Sequence, residues 1–336
     1  MKEKPAQEHL FQLIKGKLPP GETVIDVVSE LLHVSIDSAY RRIRGETPLL
    51  LDEAKLLCLH FKISLDRLFE MEHNDVVFHP ILVGNKHYTF ENYLTDLQKT
   101  LRYIASFKDN EIIYLSKDIP FFHYFSLKPL FAFRYFFWMK SILQHPDFKN
   151  RRFSMDYLSP QMEEMAKEIS RCYKTIPSTE IWNTEGINSF VAQVEYYKEA
   201  GYFASDNDAA LLYDSLSEVI EHIRSQAQYG CKYLPGENPD LKQSNYKLFY
   251  NHVVIGDNTI LVTLNKKKIV YINYDVLNYM TTEDEDFCNE TLEKMQTLMR
   301  RATIISDVSE KQRNIFFNTL LNRIPAMSRG TAVATF

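Results

Sequence analysis

Few residues in this chain have the types and the spacing that catalysis requires. The one His-x-Lys motif, which a phospholipase-D-like site needs, is His60-Phe61-Lys62, and it falls inside a predicted helical bundle. Ala200-Gly201 offers the bond type used in some self-cleavage reactions, but it ends a predicted helix and no fitting serine and lysine motif follows. The 10 glycines never occur at the G-x-G spacing of a nucleotide-binding loop. We therefore expect no catalytic residues and no enzymatic activity.

Residues that could bind a metal ion are also poorly spaced. His73, His79 and His87 lie too far apart to indicate a site. The acidic run at 283–286 could bind a metal, but such runs more often begin a helix, where their charge suits the helix dipole. No Cys-x-x-Cys pair occurs among the four cysteines, which are Cys58, Cys172, Cys231 and Cys288. We expect neither a metal nor a cofactor.

An aromatic segment at 121–140 contains the most unusual charged residue. Ten of its first eighteen residues are aromatic, but His123, Pro129 and Arg134 interrupt it. A bilayer-spanning helix needs about 20 mostly apolar residues, so we predict a buried helix with Pro129 near its first turn. Part of the segment could instead line an apolar pocket or a dimer face. A buried Arg134 would need an internal carboxylate or an anionic ligand, which makes it a candidate ligand or buried-charge site.

Length and composition limit the classes of protein to consider. The 336 residues suit two or three domains, and 45% hydrophobic with 25% charged residues is typical of a folded, water-soluble protein. We expect a cytoplasmic protein, because the start of the chain has no signal-peptide pattern. The net charge of −5 provides no general attraction to nucleic acid, so DNA affinity would have to come from a local cluster.

The first seventy residues have the pattern of a compact helical bundle. An apolar stripe predicts a helix over residues 6–14. Thr23 begins a sequence that resembles a capping box and predicts a second helix. The apolar face of that helix consists of Val24, Val27, Val28, Leu31 and Leu32. Two later helices, at 51–61 and 65–69, complete the bundle.

A third, short helix follows a turn at His33. Ser35 can cap it through its hydroxyl, and Gly45 supplies a left-handed stop. Ala39 and Ile43 are four residues apart and face the core. The outward-facing residues are then Asp37, Ser38, Arg41 and one or both of Arg42 and Arg44.

The order of these helices and of the turn and cap residues between them resembles the Cro/C1-type helix-turn-helix family, the phage-repressor-like transcriptional regulators. The resemblance covers about residues 6–70. It rests on Val34-Ser35 before the third helix, Gly45 after it, and the sequence FKISLDRLF at 61–69.

Two positions depart from the pattern of that family. His33 stands where glycine is usual, although histidine tolerates a positive φ better than most residues. Arg42 stands where the family tends to be apolar, and Ile43 can take over that packing role. The sequence therefore leaves open whether Arg41 or Arg42 would reach the DNA groove.

The resemblance implies that the third helix lies in the major groove of double-stranded DNA and that the protein is a homodimer. Arginine can bind guanine through two hydrogen bonds, aspartate can accept from cytosine, and an apolar side chain can meet the thymine methyl. The implied base-contact candidates are Ile36, Asp37, Ser38 and Arg41. The implied DNA-backbone candidates are Tyr40, Arg42, Arg44 and Thr47.

Each of these residues also has a purely structural interpretation. Asp37 can serve the helix dipole, Arg44 and Glu46 can form surface ion pairs, and Tyr40 can pack against a neighbouring helix. The first domain carries slightly more acidic than basic side chains. An alternative is therefore a protein-interaction module whose helix-turn-helix does not bind DNA.

The rest of the chain predicts an α+β region, with domains at 1–72 and 73–336 and a possible sub-boundary near 230–245. Its predicted helices cover 88–107, 129–143, 160–175, 186–200, 207–228, 284–301 and 309–324. Predicted strands cover 111–116 and 303–305, with an antiparallel meander at 246–255, 260–264 and 269–274. The predicted fold class is mostly α, with a five-helix Cro/C1-type bundle followed by helices and a small antiparallel sheet.

These patterns together predict a sequence-specific DNA-binding transcriptional regulator. Its C-terminal region would sense an effector, either a small molecule or a peptide, or would drive oligomerisation. No membrane association is expected.

Overall fold

The computed structural model describes residues 5–18, 22–68, 76–82, 88–205, 207–253 and 256–325, apart from the side chains of Asp66 and Arg67. Close contacts divide the chain into two compact units, residues 1–75 and 76–336. The domain boundary predicted near residue 72 falls outside the described residues, as do Phe69, His73 and His87.

The described part of the N-terminal unit consists of five helices. They are α1 (Ala6–Lys15), α2 (Val24–Leu32), α3 (Ile36–Ile43), α4 (Leu51–Phe61) and α5 (Leu65–Leu68). Each helix contributes an apolar stripe to one small core, for example Ile14 of α1, Val28 of α2 and Leu57 of α4, all fully buried. Ala39 of α3 is also fully buried, which lets α3 approach its neighbours closely.

The C-terminal unit contains seven α-helices among its described residues. They are α6 (Phe90–Ala105), α7 (Lys128–Phe137), α8 (Pro160–Thr175), α9 (Asn188–Glu199), α10 (Asp208–Tyr229), α11 (Glu285–Arg301) and α12 (Glu310–Asn322). Side-chain caps begin several of them: Thr89 caps α6, Ser159 caps α8 and Asp284 caps α11. The acidic run at 283–286 therefore begins a helix, as one of its two sequence interpretations predicted.

The described residues of the C-terminal unit form one eight-stranded mixed sheet. Its strands are β1 (His79–Ile81), β2 (Asn110–Leu115), β3 (Ser178–Trp182), β4 (Tyr246–Tyr250), β5 (Thr259–Leu264), β6 (Lys267–Asn273), β7 (Tyr279–Thr282) and β8 (Thr303–Ile304). Their spatial order is β1-β7-β6-β5-β2-β3-β4-β8. The adjacent strands β2, β3 and β4 are parallel, and the remaining pairs are antiparallel.

Both faces of this sheet are covered. In β2, Ile112 and Tyr114 face the main core while Ile113 faces a second, smaller core. This alternation follows from the two-residue period of a strand. The second core is completed by Cys288 and Met295 of α11, so α11 covers one face and most of the other helices pack on the opposite face.

The predicted fold class is wrong, because the sheet is neither small nor antiparallel throughout. The predicted meander placed residues 246–255 beside 260–264. Instead, β4 pairs in parallel with β3, with Tyr246 opposite Ser178, and β2 and β3 separate β4 from β5. The turn residues at 256–258 are typical of a hairpin, but local turn chemistry does not exclude a longer-range partner strand.

Strand β3 was not predicted at all. Its sequence, Ser-Thr-Glu-Ile-Trp, offers neither a continuous apolar run nor a clean alternation, yet all five of its residues are buried. Glu180 is the reason for the failure, since a carboxylate in the middle of a strand argues for an exposed position.

The aromatic segment lies in the interior. It forms a 3-10 helix (Phe121–Ser126), then α7, then a π-helix (Trp138–Ile142), and every residue of α7 from Leu130 onward is buried. Pro129 lies in the first turn of α7, as predicted. The interpretation of this segment as core is confirmed for most of its residues, and Phe121 and Phe122 also line an apolar cavity. No helix among the described residues is long and apolar enough to cross a membrane.

Candidate functional site

The connection between α2 and α3 is held by backbone and side-chain hydrogen bonds. His33 ends α2 with φ +52°, the left-handed conformation that the turn requires. The Ser29 hydroxyl donates to the Val34 carbonyl at 2.7 Å, and the Val34 N–H donates to the Ser29 carbonyl at 3.1 Å. Ser35 then caps α3 by accepting from the Ser38 N–H at 3.2 Å. These contacts fix the direction in which α3 leaves the turn.

The outward face of α3 presents three of the four predicted base-contact residues. The side chains of Ile36, Asp37 and Arg41 are exposed, and Ile36 is 62% exposed despite being apolar. Most of this side chain is therefore accessible to a partner. Gly45, with φ +75°, follows the helix, as predicted.

Arg42 turns away from this face and binds Glu53 of α4. Arg42 Nη2 lies 2.8 Å from Glu53 Oε1 and Nε lies 3.1 Å from Oε2, so the guanidinium meets both carboxylate oxygens. The two side chains are 13% and 15% exposed. Hydrogen bonding between them raises the pKa of Arg42 and lowers that of Glu53.

Ser38, the fourth base-contact candidate, belongs to the same internal network. Its hydroxyl accepts from Arg42 Nη1 at 2.5 Å. Of the two arginines between which the sequence could not decide, Arg41 is therefore the exposed one and Arg42 the one that joins α3 to α4.

The remaining DNA-backbone candidates lie at the C-terminal end of α3. Tyr40 is 43% exposed, and the Arg44 guanidinium stacks over its ring at 5.5 Å from the centroid. Thr47 is half-buried, and its carbonyl accepts from the Gln7 side chain at 2.8 Å. Gln7 also bonds to the Arg42 carbonyl and to the Leu49 N–H, so α1 braces the loop after α3.

Glu46 lies among the exposed arginines. Its carboxylate is 3.9 Å from Arg41 Nε and 3.5 Å from Arg44 Nε. All three side chains are about half exposed (47–59%), so each pair contributes little stability. The main effect of Glu46 is to reduce the positive potential of the face that Arg41 and Arg44 would offer to phosphates.

A second concentration of polar residues lies inside the C-terminal unit, around Glu180 of β3. This carboxylate is fully buried and accepts hydrogen bonds from four side chains. The donors are His123 Nε2 (3.0 and 3.2 Å), Tyr173 Oη (2.5 Å), Trp182 Nε1 (2.9 Å) and Tyr246 Oη (3.0 Å). Burial opposes the ionised form, but the charge and hydrogen bond of His123 and the Tyr173 hydroxyl outweigh it and hold the pKa of Glu180 below its usual value.

Lys232 is the buried cation nearest to that cluster. Burial lowers its pKa to about 7, although the charge of Glu180 acts in the opposite direction. Its ammonium donates to the Tyr173 and Ile176 carbonyls, both at 2.5 Å, and to the Ser178 hydroxyl at 2.6 Å. Because the two carbonyls lie at the C-terminal end of α8, Lys232 acts as a cap for that helix.

The geometry of this cluster favours a structural role over acid–base chemistry. All three ammonium donors of Lys232 are already used, and the oxygens of Glu180 are saturated by four donors. His123, Tyr173 and Lys232 of this cluster also line a cavity of about 30 Å³, together with His222, and that cavity has room for water-sized molecules only.

Arg134 is buried, at 6% exposure, with neutral partners only among its described hydrogen bonds. Its Nη1 donates to the Gln193 side chain and its Nη2 to the Tyr124 hydroxyl, both at 2.8 Å. The guanidinium also lies 4.3 Å from the centroid of the Tyr124 ring and 5.2 Å from that of Phe190. Of the two partners that the sequence allows, an internal carboxylate or an anionic ligand, the carboxylate is absent from these contacts, and the guanidinium lies against aromatic faces instead.

Comparison of the chain with protein-family models, with curated proteins and with solved structures finds no match. Within the described residues, no three His, Cys, Asp or Glu side chains come together to hold a metal ion.

Sequence reasoning missed the residues that support each site. Glu53 and Gln7 carry no motif, and only tertiary contact reveals that they hold α3 in place. Glu180 and Lys232 are 52 residues apart in sequence, and the hydropathy of their surroundings gives no sign that both are buried.

Proposed function

We propose that this protein is a sequence-specific DNA-binding transcriptional regulator of the Cro/C1-type helix-turn-helix class, acting in the cytoplasm as a homodimer. The observation that carries the proposal is the outward face of α3. There an apolar, an acidic and a basic side chain, Ile36, Asp37 and Arg41, stand exposed on one short helix. These three side-chain types match the groups that a major groove offers.

The rigidity of α3 supports the same proposal. A helix that reads base edges must keep its orientation, and here caps at its start and the Arg42–Glu53 pair at its side restrain it. In this proposal Arg41 contacts a base, Asp37 and Ile36 contact neighbouring bases, and Tyr40 and Arg44 lie near phosphates. Ser38 and Arg42 position the helix.

Dimerisation is part of the proposal for an energetic reason. The net-acidic first unit would neutralise few phosphates, so one copy would bind weakly. Two linked copies on a palindromic site convert the second contact into an intramolecular one and raise the overall affinity. We further propose that the C-terminal unit senses an effector or holds the dimer together, and that the protein is not an enzyme.

Selection from a random duplex library with the full-length protein at low salt tests the proposal. The expected result is an enriched palindrome whose half-sites are about 10 base pairs apart, or a multiple of that spacing. Recovery of a library as random as the input would contradict it.

The position of Glu46 favours a second candidate, a protein-interaction module that does not bind DNA. Glu46→Gln discriminates between the two. If α3 faces DNA, loss of this carboxylate removes a charge that repels phosphates, and the affinity for duplex should rise by a few fold. If the protein is an interaction module, neither wild type nor Glu46→Gln should bind duplex DNA.

A further inference from the structure

A cavity of about 100 Å³ lies between α6 and the sheet in the C-terminal unit. Leu97 and Ile104 of α6 form one wall, and Ile112 of β2 and Val262 of β5 form the opposite wall. Phe121, from the 3-10 helix, closes one side. The cavity opens to solvent at the rim formed by Tyr88 and Asp96, and the side chains at its base belong to the main apolar core.

The size of this cavity sets the size of a ligand. An enclosed apolar cavity of about 150 Å³ in a protein core accepts benzene. A space of about 100 Å³ is of the same order, so it suits a single ring or a short aliphatic chain. Apolar side chains that line a space of this volume gain dispersion contacts when a ligand fills it.

The lining determines the charge of the ligand. None of the described lining residues is Lys, Arg or His, so an anion would find no counter-charge. The one carboxylate, Asp96, is 53% exposed at the rim, where it accepts from the Tyr88 hydroxyl at 3.0 Å and lies 3.5 Å from the Lys99 ammonium. Since Asp96 already has these partners, the lining does not call for a cation.

Tyr93 of α6, at 8% exposure, is the most deeply buried of the tyrosines that line the cavity. Its hydroxyl can give a ligand its orientation. The neighbouring Tyr279 hydroxyl interacts with Tyr114. A buried tyrosine hydroxyl usually finds a partner, and a ligand with one hydroxyl or carbonyl can serve as a partner for Tyr93.

We propose that this cavity is a binding site for a small uncharged molecule that has a one-ring apolar body and one hydrogen-bonding group. The site needs no DNA. Only its role as the effector site rests on the proposed function, in which ligand binding would shift the protein between DNA-binding states.

Calorimetric titration of the full-length protein, without DNA, tests the site. Four probes of similar shape are used: phenol, toluene, benzoate and benzylammonium. We expect saturable binding of phenol and toluene and none of benzoate or benzylammonium at the same concentrations. Binding of neither neutral probe at millimolar concentration, or stronger binding of either charged probe, would overturn the proposal.

Two variants locate the binding. Tyr93→Phe keeps the ring and removes the hydroxyl, so phenol should bind about three- to tenfold more weakly while toluene is unaffected. Tyr103→Phe, on the exposed side of the same helix, is the matched control and should leave both affinities unchanged. Leu97→Trp fills the cavity and should abolish binding of both probes. Retention of wild-type affinities by Tyr93→Phe and by folded Leu97→Trp would show that the probes bind elsewhere.

The effector role has its own readout. Duplex affinity is measured with and without saturating phenol. If phenol binds but leaves the duplex affinity unchanged, the cavity is a binding site but not an effector site. Absence of any duplex binding would remove the proposed function, and the calorimetric result would still decide the site.

Discussion

The guanidinium of Arg42 meets both carboxylate oxygens of Glu53, at 2.8 and 3.1 Å, and joins α3 to α4 across 11 positions of the chain. The pair is largely shielded from solvent, and its acceptor also receives the Leu50 N–H at 3.0 Å. Arg42 therefore holds α3 against α4, whereas its neighbour Arg41 is exposed to solvent.

The Arg42–Glu53 pair should stabilise the N-terminal unit. We expect Arg42→Ala to lower the free energy of unfolding by about 1–2 kcal/mol, because it removes a two-point charged hydrogen bond and leaves Glu53 unpaired. A double-mutant cycle with Glu53→Ala, followed by urea denaturation, measures the coupling. Arg41→Ala is the control and should change stability by less than about 0.5 kcal/mol. A coupling energy near zero would contradict this account.

Glu180 should make the folded protein sensitive to acid. Its folded pKa is below its ordinary value of 4.5, so its stabilising contribution is complete above that pH and is lost as the pH falls through the folded pKa. Glu180→Gln should therefore be less stable near neutral pH and should lose less stability on acidification. Denaturation curves between about pH 7 and 3 test this. The exposed Glu290→Gln serves as control, and equal acid dependence of Glu180→Gln and wild type would refute the assignment.

Lys232 should add a second rise of stability with pH, on the alkaline side. Burial lowers its folded pKa from 10.5 to about 7. Between these values the unfolded chain holds more protons than the folded protein, so the free energy of unfolding should rise as the pH increases from about 7 to 9. Lys232→Met should abolish that rise. The prediction is contradicted if the free energy of unfolding of the wild-type protein stays constant or falls over this pH range.

Arg134 should not tolerate replacement by lysine. A lysine ammonium cannot reach the Gln193 and Tyr124 acceptors in the same fork geometry or stack flat on the Tyr124 ring. We expect Arg134→Lys to lower the free energy of unfolding by about 1–3 kcal/mol. The exposed Arg171→Lys should have little effect. Equal stability of the two variants would show that the neutral contacts of Arg134 are dispensable.

Local patterns in the sequence predicted local structure well. The caps at Thr23 and Ser35, the positive φ at His33 and the position of Pro129 all depend on neighbouring residues, and the structure contains them. The buried aromatic helix also followed from its composition.

Features that depend on distant contacts could not be predicted in this way. The pairing of β4 with β3 places Tyr246 beside Ser178, 68 positions earlier in the chain, and no turn signal encodes that choice. Glu180 can be buried because four hydrogen-bond donors satisfy its carboxylate. Three of these donors lie on other elements and one lies on its own strand. The family resemblance implies a DNA-backbone contact for Arg42. No helical spacing points to its actual partner Glu53, which lies on the next helix.

The proposed function is tested most directly by fluorescence anisotropy on the duplex enriched in selection. Three proteins are compared: wild type, Arg41→Ala and Lys15→Ala. Each variant loses one positive charge, and Lys15, the control position, is exposed at the end of α1. The account predicts that Arg41→Ala weakens binding by about 1–3 kcal/mol and changes the preferred base at one position in each half-site, while Lys15→Ala binds almost as wild type does. Equal affinity and equal base preference for Arg41→Ala and Lys15→Ala would contradict the claim that α3 reads DNA.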